Sequence, residues 1–175
     1  MKSGKSFELI SHFAPLKYTS IPFGLFQSVR NVRDDGVCSR NGISLGAQKI
    51  NSIEQILDKK LAVVGIDEIH MFAEQEVENI KKLLEQGTKV IISGLDMDCY
   101  GRLFPIVKKL LELGPKEVKY RRSVCEICGN PTAVYTQILK EGKPVLTGLP
   151  LVVPDDGTYI YQATCPHCFV KSNLV

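Results

Sequence analysis

The chain has 175 residues, of which 44% are hydrophobic and 23% charged, and its formal net charge is +3. This composition is typical of a globular protein that buries a core, the charge is too small to indicate nucleic-acid binding by itself, and no apolar run approaches the roughly 18 residues of a membrane span. Lys2, Lys5 and Glu8 interrupt the first residues, so we expect no signal peptide and a cytoplasmic location.

Apolar periodicity predicts the regular elements of residues 1–120. We predict helices over residues 6–17, after Ser52, over 74–86 with Gly87 as the cap, and over 103–113. Nearly continuous apolar runs predict buried strands at residues 21–26, 61–66, 90–92 and 118–120. Residues 27–47 are rich in Arg, Asn, Asp and Gly, so we expect a long loop or hairpin there.

The alternation of helix and strand indicates an α/β domain with a mostly parallel sheet flanked by helices. After Arg121 the helical period is lost, and the remaining residues lie around two cysteine pairs. We therefore predict two modules, residues 1–120 and residues 121–175, with the boundary near Tyr120.

A phosphate site is predicted at the N-terminus, where Gly4, Lys5 and Ser6 match the end of a G-x-x-x-x-G-K-[ST] loop. The glycine lets the backbone wrap the phosphates, the lysine neutralises their oxygens, the hydroxyl binds Mg²⁺, and the helix N-terminus faces the anion. The motif's first glycine and the preceding central strand would lie before Met1, so we expect that first strand to be missing and the sequence to be truncated. A chance Ser-Gly-Lys-Ser sequence is the alternative.

A second candidate site lies at the end of the apolar run 61–66, where Asp67 and Glu68 follow. An aspartate in this position can hold Mg²⁺ through water, and the adjacent glutamate can act as a base. An ordinary solvated strand end is the alternative, but the upstream Lys-Ser loop favours the functional interpretation.

Two C-x-x-C pairs predict a structural zinc site, since four thiolates close a tetrahedral shell. Its ligands are Cys125, Cys128, Cys165 and Cys168. Redox-active or free thiols are the alternative, and His167 inside the second pair is an alternative ligand.

The order of these motifs resembles the cellular-type (type II) thymidine kinase family. The family's loop is matched from Met1 through Ser3, Gly4, Lys5 and Ser6 to Leu9, and its D-E-x-Q-F motif by residues 67–72, with His70 in place of Gln. Gly94-Leu95-Asp96, the cysteine pairs and Tyr161 match further family positions. The resemblance covers essentially the whole chain.

The resemblance implies a P-loop fold, a zinc-binding lasso domain, ATP as phosphoryl donor and a nucleoside as acceptor. It implies that Glu68 is the catalytic base and that Ser3, Gly4, Lys5, Ser6, Asp67 and Arg33 bind ATP and Mg²⁺. It further implies that Met1, Thr136 and Tyr161 contact the nucleoside, which the lasso between the cysteine pairs grips largely through backbone groups. A homotetramer is also implied.

This sequence departs from the family mainly around the nucleoside. The lasso's Ile-Gly-Gly is replaced by Asp155-Asp156-Gly157, the aromatic residue of L-D-x-x-F by Cys99, and an Arg after the third cysteine by Pro166. The Asp of the family's D-x-R is Asn31. The phosphate-binding motifs of the family are therefore better preserved in this sequence than its nucleoside-binding motifs, and the resemblance predicts the triphosphate more firmly than the nucleoside.

Three functions are compatible with these residues. The favoured one is ATP-dependent phosphorylation of the 5′-hydroxyl of thymidine or a related deoxynucleoside. The second is a P-loop nucleotide-binding or ATPase protein with a zinc ribbon that has lost this activity. A zinc-ribbon nucleic-acid binder ranks last, because it leaves Asp67 and Glu68 unexplained, so we do not expect nucleic acid as a partner. No membrane partner is expected either, because no apolar run is long enough to span one.

Overall fold

The computed structural model describes residues 3–32, 34–39, 42–153 and 157–170. The chain forms two compact units: Gly4–Leu95 with Pro105–Pro115, and Asp96–Phe104 with Lys116–Val175 and Met1–Ser3. Both units draw on separated parts of the sequence. The predicted boundary near residue 120 stays a prediction.

The first unit contains six strands and three α-helices among its described residues. In chain order they are α1 (Lys5–Phe13), β1 (Phe23–Ser28), β2 (Gly36–Cys38), β3 (Ser44–Gly46), β4 (Gln48–Ile50), β5 (Val63–Asp67), α2 (Glu76–Glu85), β6 (Lys89–Ile92) and α3 (Pro105–Glu112). Short 3-10 helices cover Ala14–Tyr18, Ile53–Lys59 and Ile69–Met71.

A four-stranded sheet with the order β4-β1-β5-β6 forms the centre of this unit, and all its pairings are parallel. The predicted α/β class with a mostly parallel sheet is confirmed. Strand β4 was not predicted as a strand, and the segment before it forms the antiparallel hairpin β2-β3. The parallel arrangement brings the carboxyl ends of β1, β5 and β6 to one edge of the sheet.

Helix α1 packs directly on the sheet. A Cβ added at Gly65 in β5 would lie 2.7 Å from the Phe13 ring and 2.5 Å from Leu25 Cδ1, so glycine permits this close approach. The α-helix ends at Phe13 and continues as a 3-10 turn containing Pro15, because proline lacks the N–H that the α-helix would use. The predicted helix over residues 6–17 is therefore split into two forms.

The helix predicted after Ser52 is a 3-10 helix with the expected cap. The Ser52 side chain accepts a hydrogen bond from the backbone N–H of Glu54, and Gln55 completes a capping box. The prediction of a strand at residues 118–120 was wrong. This segment has no regular secondary structure, and Val118 and Tyr120 are 45% and 69% exposed, so no apolar face is buried.

The second unit contains the antiparallel strands β7 (Tyr135–Lys140), β8 (Lys143–Pro144) and β9 (Ile160–Thr164), in the order β8-β7-β9. Cys125, Cys165, Ala133 and Ala163 form its small buried cluster. No helix within the described parts of the chain is long and apolar enough to cross a membrane.

Candidate functional site

The N-terminus of α1 has the backbone geometry that a phosphate-binding turn requires. Gly4, the residue before the helix, adopts a left-handed conformation with φ of +80°, which glycine tolerates without strain. Lys5 begins the helix, and the N–H of Glu8 bonds to the carbonyl of Gly4 at 3.0 Å. The remaining N–H groups of the first turn and the helix dipole favour an anion at this end. Ser3 and Ser6 are both partly buried.

Asp67, the last residue of β5, lies at the centre of a polar cluster. Its side chain is 4% exposed, and both of its carboxylate oxygens accept hydrogen bonds. Oδ2 accepts from the Ser6 hydroxyl at 3.3 Å, and Oδ1 accepts from the Glu68 N–H at 2.9 Å and from the hydroxyl of Ser93. Lys5 Nζ lies 3.7 Å from Oδ1. The two sequence motifs, 61 residues apart, thus meet in one site.

Glu68 occupies a strained turn beside this carboxylate. Its φ of +51° and ψ of +46° are left-handed, and a non-glycine residue is held there only when its surroundings support it. Oε1 accepts a hydrogen bond from Lys5 Nζ at 2.5 Å, and both side chains are about one-fifth exposed, at 22% and 19%. The carboxylate is therefore accessible and paired with the lysine of the helix start.

His70 is the buried neighbour of Glu68. Burial lowers its pKa to about 4, although the charge of Glu68 opposes this effect and Lys5 adds to it. The imidazole is therefore neutral at neutral pH, and the 3.4 Å separation between its Nδ1 and Glu68 Oε2 is not an ion pair. Nδ1 accepts a hydrogen bond from the Leu95 N–H at 3.3 Å, which connects the turn after β5 to the segment after β6.

Ser93 and Gly94 belong to the site but were not predicted as site residues. Ser93 follows β6 directly, and its carbonyl accepts the Ile69 N–H at 3.0 Å. A Cβ at Gly94 would lie 2.8 Å from Ile69 Cγ2 and 3.1 Å from the Ile69 backbone nitrogen, so no larger residue fits without a shift. Their place in the site could have been predicted from the strand at residues 90–92, because the carboxyl ends of neighbouring parallel strands meet at one edge of the sheet.

Two of the predicted site residues, Met1 and Arg33, lie outside the described residues. Asn31, two residues before Arg33 in the sequence, is buried, and its Nδ2 donates to Gln27 Oε1 at 3.0 Å. Gln27 is the penultimate residue of β1, lies opposite Asp67 in the sheet register, and donates to the Asp34 carbonyl at 3.0 Å. Asn31 thus makes a hydrogen bond within a buried polar network at the carboxyl edge of the sheet.

The four cysteines of the two C-x-x-C pairs converge in the second unit. The sulfur atoms of Cys125, Cys128, Cys165 and Cys168 all lie within 4.8 Å of one another, and those of Cys128 and Cys165 are 3.7 Å apart. A tetrahedron with Zn–S bonds of about 2.3 Å has edges of about 3.8 Å. The arrangement therefore fits a structural zinc ion. His167 is exposed and is not part of this group among the described residues.

Proton affinities differ among these sulfurs. Burial disfavours the Cys125 thiolate, but backbone N–H groups of Cys128 and Cys165 outweigh it and lower its pKa to about 6. Hydrogen bonds with Cys165 and Cys128 raise the pKa of Cys168 to about 12. Four thiolates so close together need a cation to ionise together, which is the chemistry that zinc would supply.

The predicted nucleoside-binding residues Thr136 and Tyr161 lie on the paired strands β7 and β9. Thr136 is opposite Ala163, and Tyr161 is opposite Ile138. Thr136 is 8% exposed, whereas Tyr161 is half-buried and donates its hydroxyl proton to the Val153 carbonyl at 2.8 Å. Cys99, which stands where the family has an aromatic residue, is buried, and burial raises the pKa of its thiol.

A parallel α/β sheet with a Gly-Lys-Ser helix start beside the Asp-Glu end of a buried strand defines the class as a P-loop-like fold. A family model described as thymidine kinase matches residues 1–169. The chain belongs to the thymidine kinase family and is a kinase, a phosphotransferase.

Named relatives agree with this family. The chain is 35% identical to a thymidine kinase of Mycoplasma mycoides subsp. mycoides SC, over 97% of this chain and 85% of that protein. It is 34% identical to a thymidine kinase of Mesoplasma florum, over 97% and 87% of the two chains. It is 32% identical to a thymidine kinase of Thermococcus kodakarensis, over 94% and 87%.

Proposed function

We propose that this kinase transfers the γ-phosphoryl group of ATP to the 5′-hydroxyl of thymidine or a related deoxynucleoside. The observation that carries the proposal is the convergence of Lys5 and Ser6 on the Asp67-Glu68 strand end. The relatives named above are thymidine kinases, which supports this acceptor class. They do not favour the alternative of a nucleotide-binding protein that has lost the activity.

Glu68 is the proposed base. In this step its carboxylate takes the proton of the 5′-hydroxyl, the oxygen forms a bond to the γ-phosphorus, and the bond between that phosphorus and ADP breaks. A carboxylate with about one-fifth of its surface exposed is reachable by a substrate hydroxyl, and general-base catalysis of this kind contributes typically about 10²–10⁴-fold.

Lys5, Ser6 and Asp67 form the proposed phosphate and magnesium side of the site. The Lys5 ammonium neutralises negative charge on the phosphate oxygens, and the left-handed Gly4 lets the backbone approach them. The Ser6 hydroxyl and the Asp67 carboxylate are the hard oxygen donors that Mg²⁺ prefers, and their oxygens are 3.3 Å apart. When bound, Mg²⁺ would offset charge on the β- and γ-phosphates.

The remaining proposed contacts are those of Ser3 and Arg33 with the triphosphate and of Met1, Thr136 and Tyr161 with the nucleoside. These assignments rest on the matched family positions. A tetrameric assembly and a cytoplasmic location likewise remain predictions.

The decisive experiment is transfer of labelled phosphate from ATP to each deoxynucleoside, with wild type and Glu68→Gln. We expect thymidine monophosphate from wild type and a loss of about 10²-fold or more in kcat for E68Q. Glu78→Gln is the matched control, because Glu78 is exposed on α2 and pairs with Lys81 at 2.7 Å. ATP hydrolysis without transfer to any nucleoside would contradict the proposed function, and an unchanged kcat in E68Q would remove Glu68 from the mechanism.

A further inference from the structure

A buried aspartate organises the loop formed by residues 96–104. The Asp98 residue is 3% exposed, and its Oδ1 accepts the backbone N–H groups of Tyr100 and Arg102, both at 2.9 Å. Its Oδ2 accepts from the Arg102 guanidinium, at 2.9 Å from Nε and 2.8 Å from Nη2. A buried carboxylate with four such donors is costly to disrupt. The loop backbone on both sides of Tyr100 is therefore held in one conformation.

The Tyr100 side chain is fixed by the same loop. The Arg102 guanidinium carbon lies 5.0 Å from the centre of the Tyr100 ring, which is a cation–π contact. Gly101 has φ of +78°, and a Cβ there would lie 3.1 Å from the Tyr135 ring. Tyr135 in turn stacks on Phe169 with ring centres 4.4 Å apart. The loop is thus anchored to the same unit as β7 and the cysteines.

The hydroxyl of Tyr100 reaches a distant part of the chain. Tyr100 Oη accepts the backbone N–H of Leu149 at 2.8 Å, across 49 residues of sequence. The hydroxyl of a second tyrosine, Tyr161, donates to the carbonyl of Val153, four residues after Leu149, at 2.8 Å. The described segment 149–153 is therefore tied by its backbone to two tyrosine hydroxyls, one accepting and one donating. Neither tie depends on the side chain of a residue in the segment.

We propose that Tyr100 is a positioning residue for the nucleoside: its hydroxyl holds the backbone of residues 149–153 in the conformation that recognises the substrate. This inference rests on the proposed function and on the family resemblance, which implies that the chain between the cysteine pairs grips the nucleoside through backbone groups. Recognition by backbone N–H and C=O groups requires those groups to be oriented before binding, because ordering a loop at that moment costs affinity. Tyr100 acts through Leu149 and needs no contact with the substrate.

Kinetic constants for Tyr100→Phe test this role, since the substitution removes only the hydroxyl. We expect the KM for the nucleoside to rise roughly three- to tenfold, which corresponds to the loss of one hydrogen bond, while the KM for ATP stays unchanged. Tyr120→Phe is the matched control, because Tyr120 is 69% exposed in the same unit. An unchanged nucleoside KM in Y100F, with wild type active, overturns the proposal.

Hydrogen exchange tests the tie independently of catalysis. The Leu149 amide should exchange faster in Y100F than in wild type or Y120F, and nucleoside binding should restore part of its protection. Zinc content and melting temperature equal to wild type would show that Y100F is folded. Unchanged exchange at Leu149 would overturn the tie even if the wild-type enzyme phosphorylates a nucleoside. Faster exchange with a wild type inactive on every nucleoside would instead contradict the proposed function alone.

Discussion

The ammonium group of Lys5 lies 2.5 Å from Glu68 Oε1 and 3.7 Å from Asp67 Oδ1. This one cation therefore contacts both acidic residues at the end of β5. In the proposed function the same ammonium binds phosphate oxygens, and Glu68 takes the substrate proton. Binding of phosphate and pairing with Glu68 then compete for Lys5, and displacement of the lysine by ATP leaves the Glu68 carboxylate available as a base.

The first prediction follows from this competition. Glu68→Gln should bind a non-hydrolysable ATP analogue more tightly than wild type, by about fivefold, because a partly exposed ion pair is worth up to about 1 kcal/mol. Calorimetric titration would measure the difference. The gain should vanish when Lys5 is replaced, so K5M and K5M/E68Q should bind the analogue equally. Equal gains with and without Lys5 would point to a general charge effect and refute the competition.

The second prediction concerns the serine hydroxyl beside Asp67. Ser6→Ala removes the oxygen that lies 3.3 Å from Asp67 Oδ2, so we expect the Mg²⁺ concentration for half-maximal activity to rise about tenfold, as loss of a ligand to a hard cation implies. Titration of Mg²⁺ at saturating ATP would measure this. Ser11→Ala is the control on the same helix, since its hydroxyl is exposed and donates locally to the Glu8 carbonyl. A Mg²⁺ dependence that is identical in both variants would exclude Ser6 as a ligand.

The third prediction concerns pH and His70. Burial holds the pKa of folded His70 at about 4, below its ordinary value of 6.5, so the unfolded chain binds the proton more tightly. The contribution of His70 to the free energy of unfolding is therefore constant above pH 6.5. It falls as the pH drops from about 6.5 to about 4, by up to about 1.4 kcal/mol per pH unit.

Urea unfolding at pH 7 and pH 5 would measure this loss. His70→Gln has no titrating group, and its amide can accept the Leu95 N–H in place of Nδ1, so this variant should lose less stability on acidification than wild type. His12→Gln, at an exposed position on α1, should keep the wild-type loss. If H70Q and wild type lose the same free energy between the two pH values, His70 is not the responsible group.

The fourth prediction concerns the cysteine cluster. The purified protein should contain about one zinc ion per chain, as expected for four thiolate ligands, and Cys168→Ser should lose the metal and lower the melting temperature. Metal analysis and thermal unfolding would measure both effects. Cys38→Ser is the matched control, because Cys38 is exposed and lies on β2 outside the cluster. Clearly less than one zinc per wild-type chain, or full zinc content in C168S, would refute the four-cysteine site.

Local patterns in the sequence were sufficient to predict most of the helices and strands of the first unit. The apolar run ending in Asp67-Glu68 predicted β5. The capping residue Ser52 predicted the helix that begins directly after it, at Ile53. Such signals involve residues close in sequence, where periodicity and capping are read directly. Strand β4 was not predicted, because it has only three residues, Gln48–Ile50, and two of them are polar. Its strand conformation comes from pairing with β1.

What the sequence by itself determined is the inventory of chemical groups: a Gly-Lys-Ser helix start, an Asp-Glu strand end and two cysteine pairs. Only the tertiary structure decided which of them meet. Lys5 and Glu68 are 63 residues apart, and their contact depends on how α1 packs on β5. Ser93 enters the site because β6 lies beside β5, and Tyr100 reaches Leu149 because a buried aspartate fixes its loop. Contacts of this kind depend on sheet order and packing, which no local pattern of residues encodes.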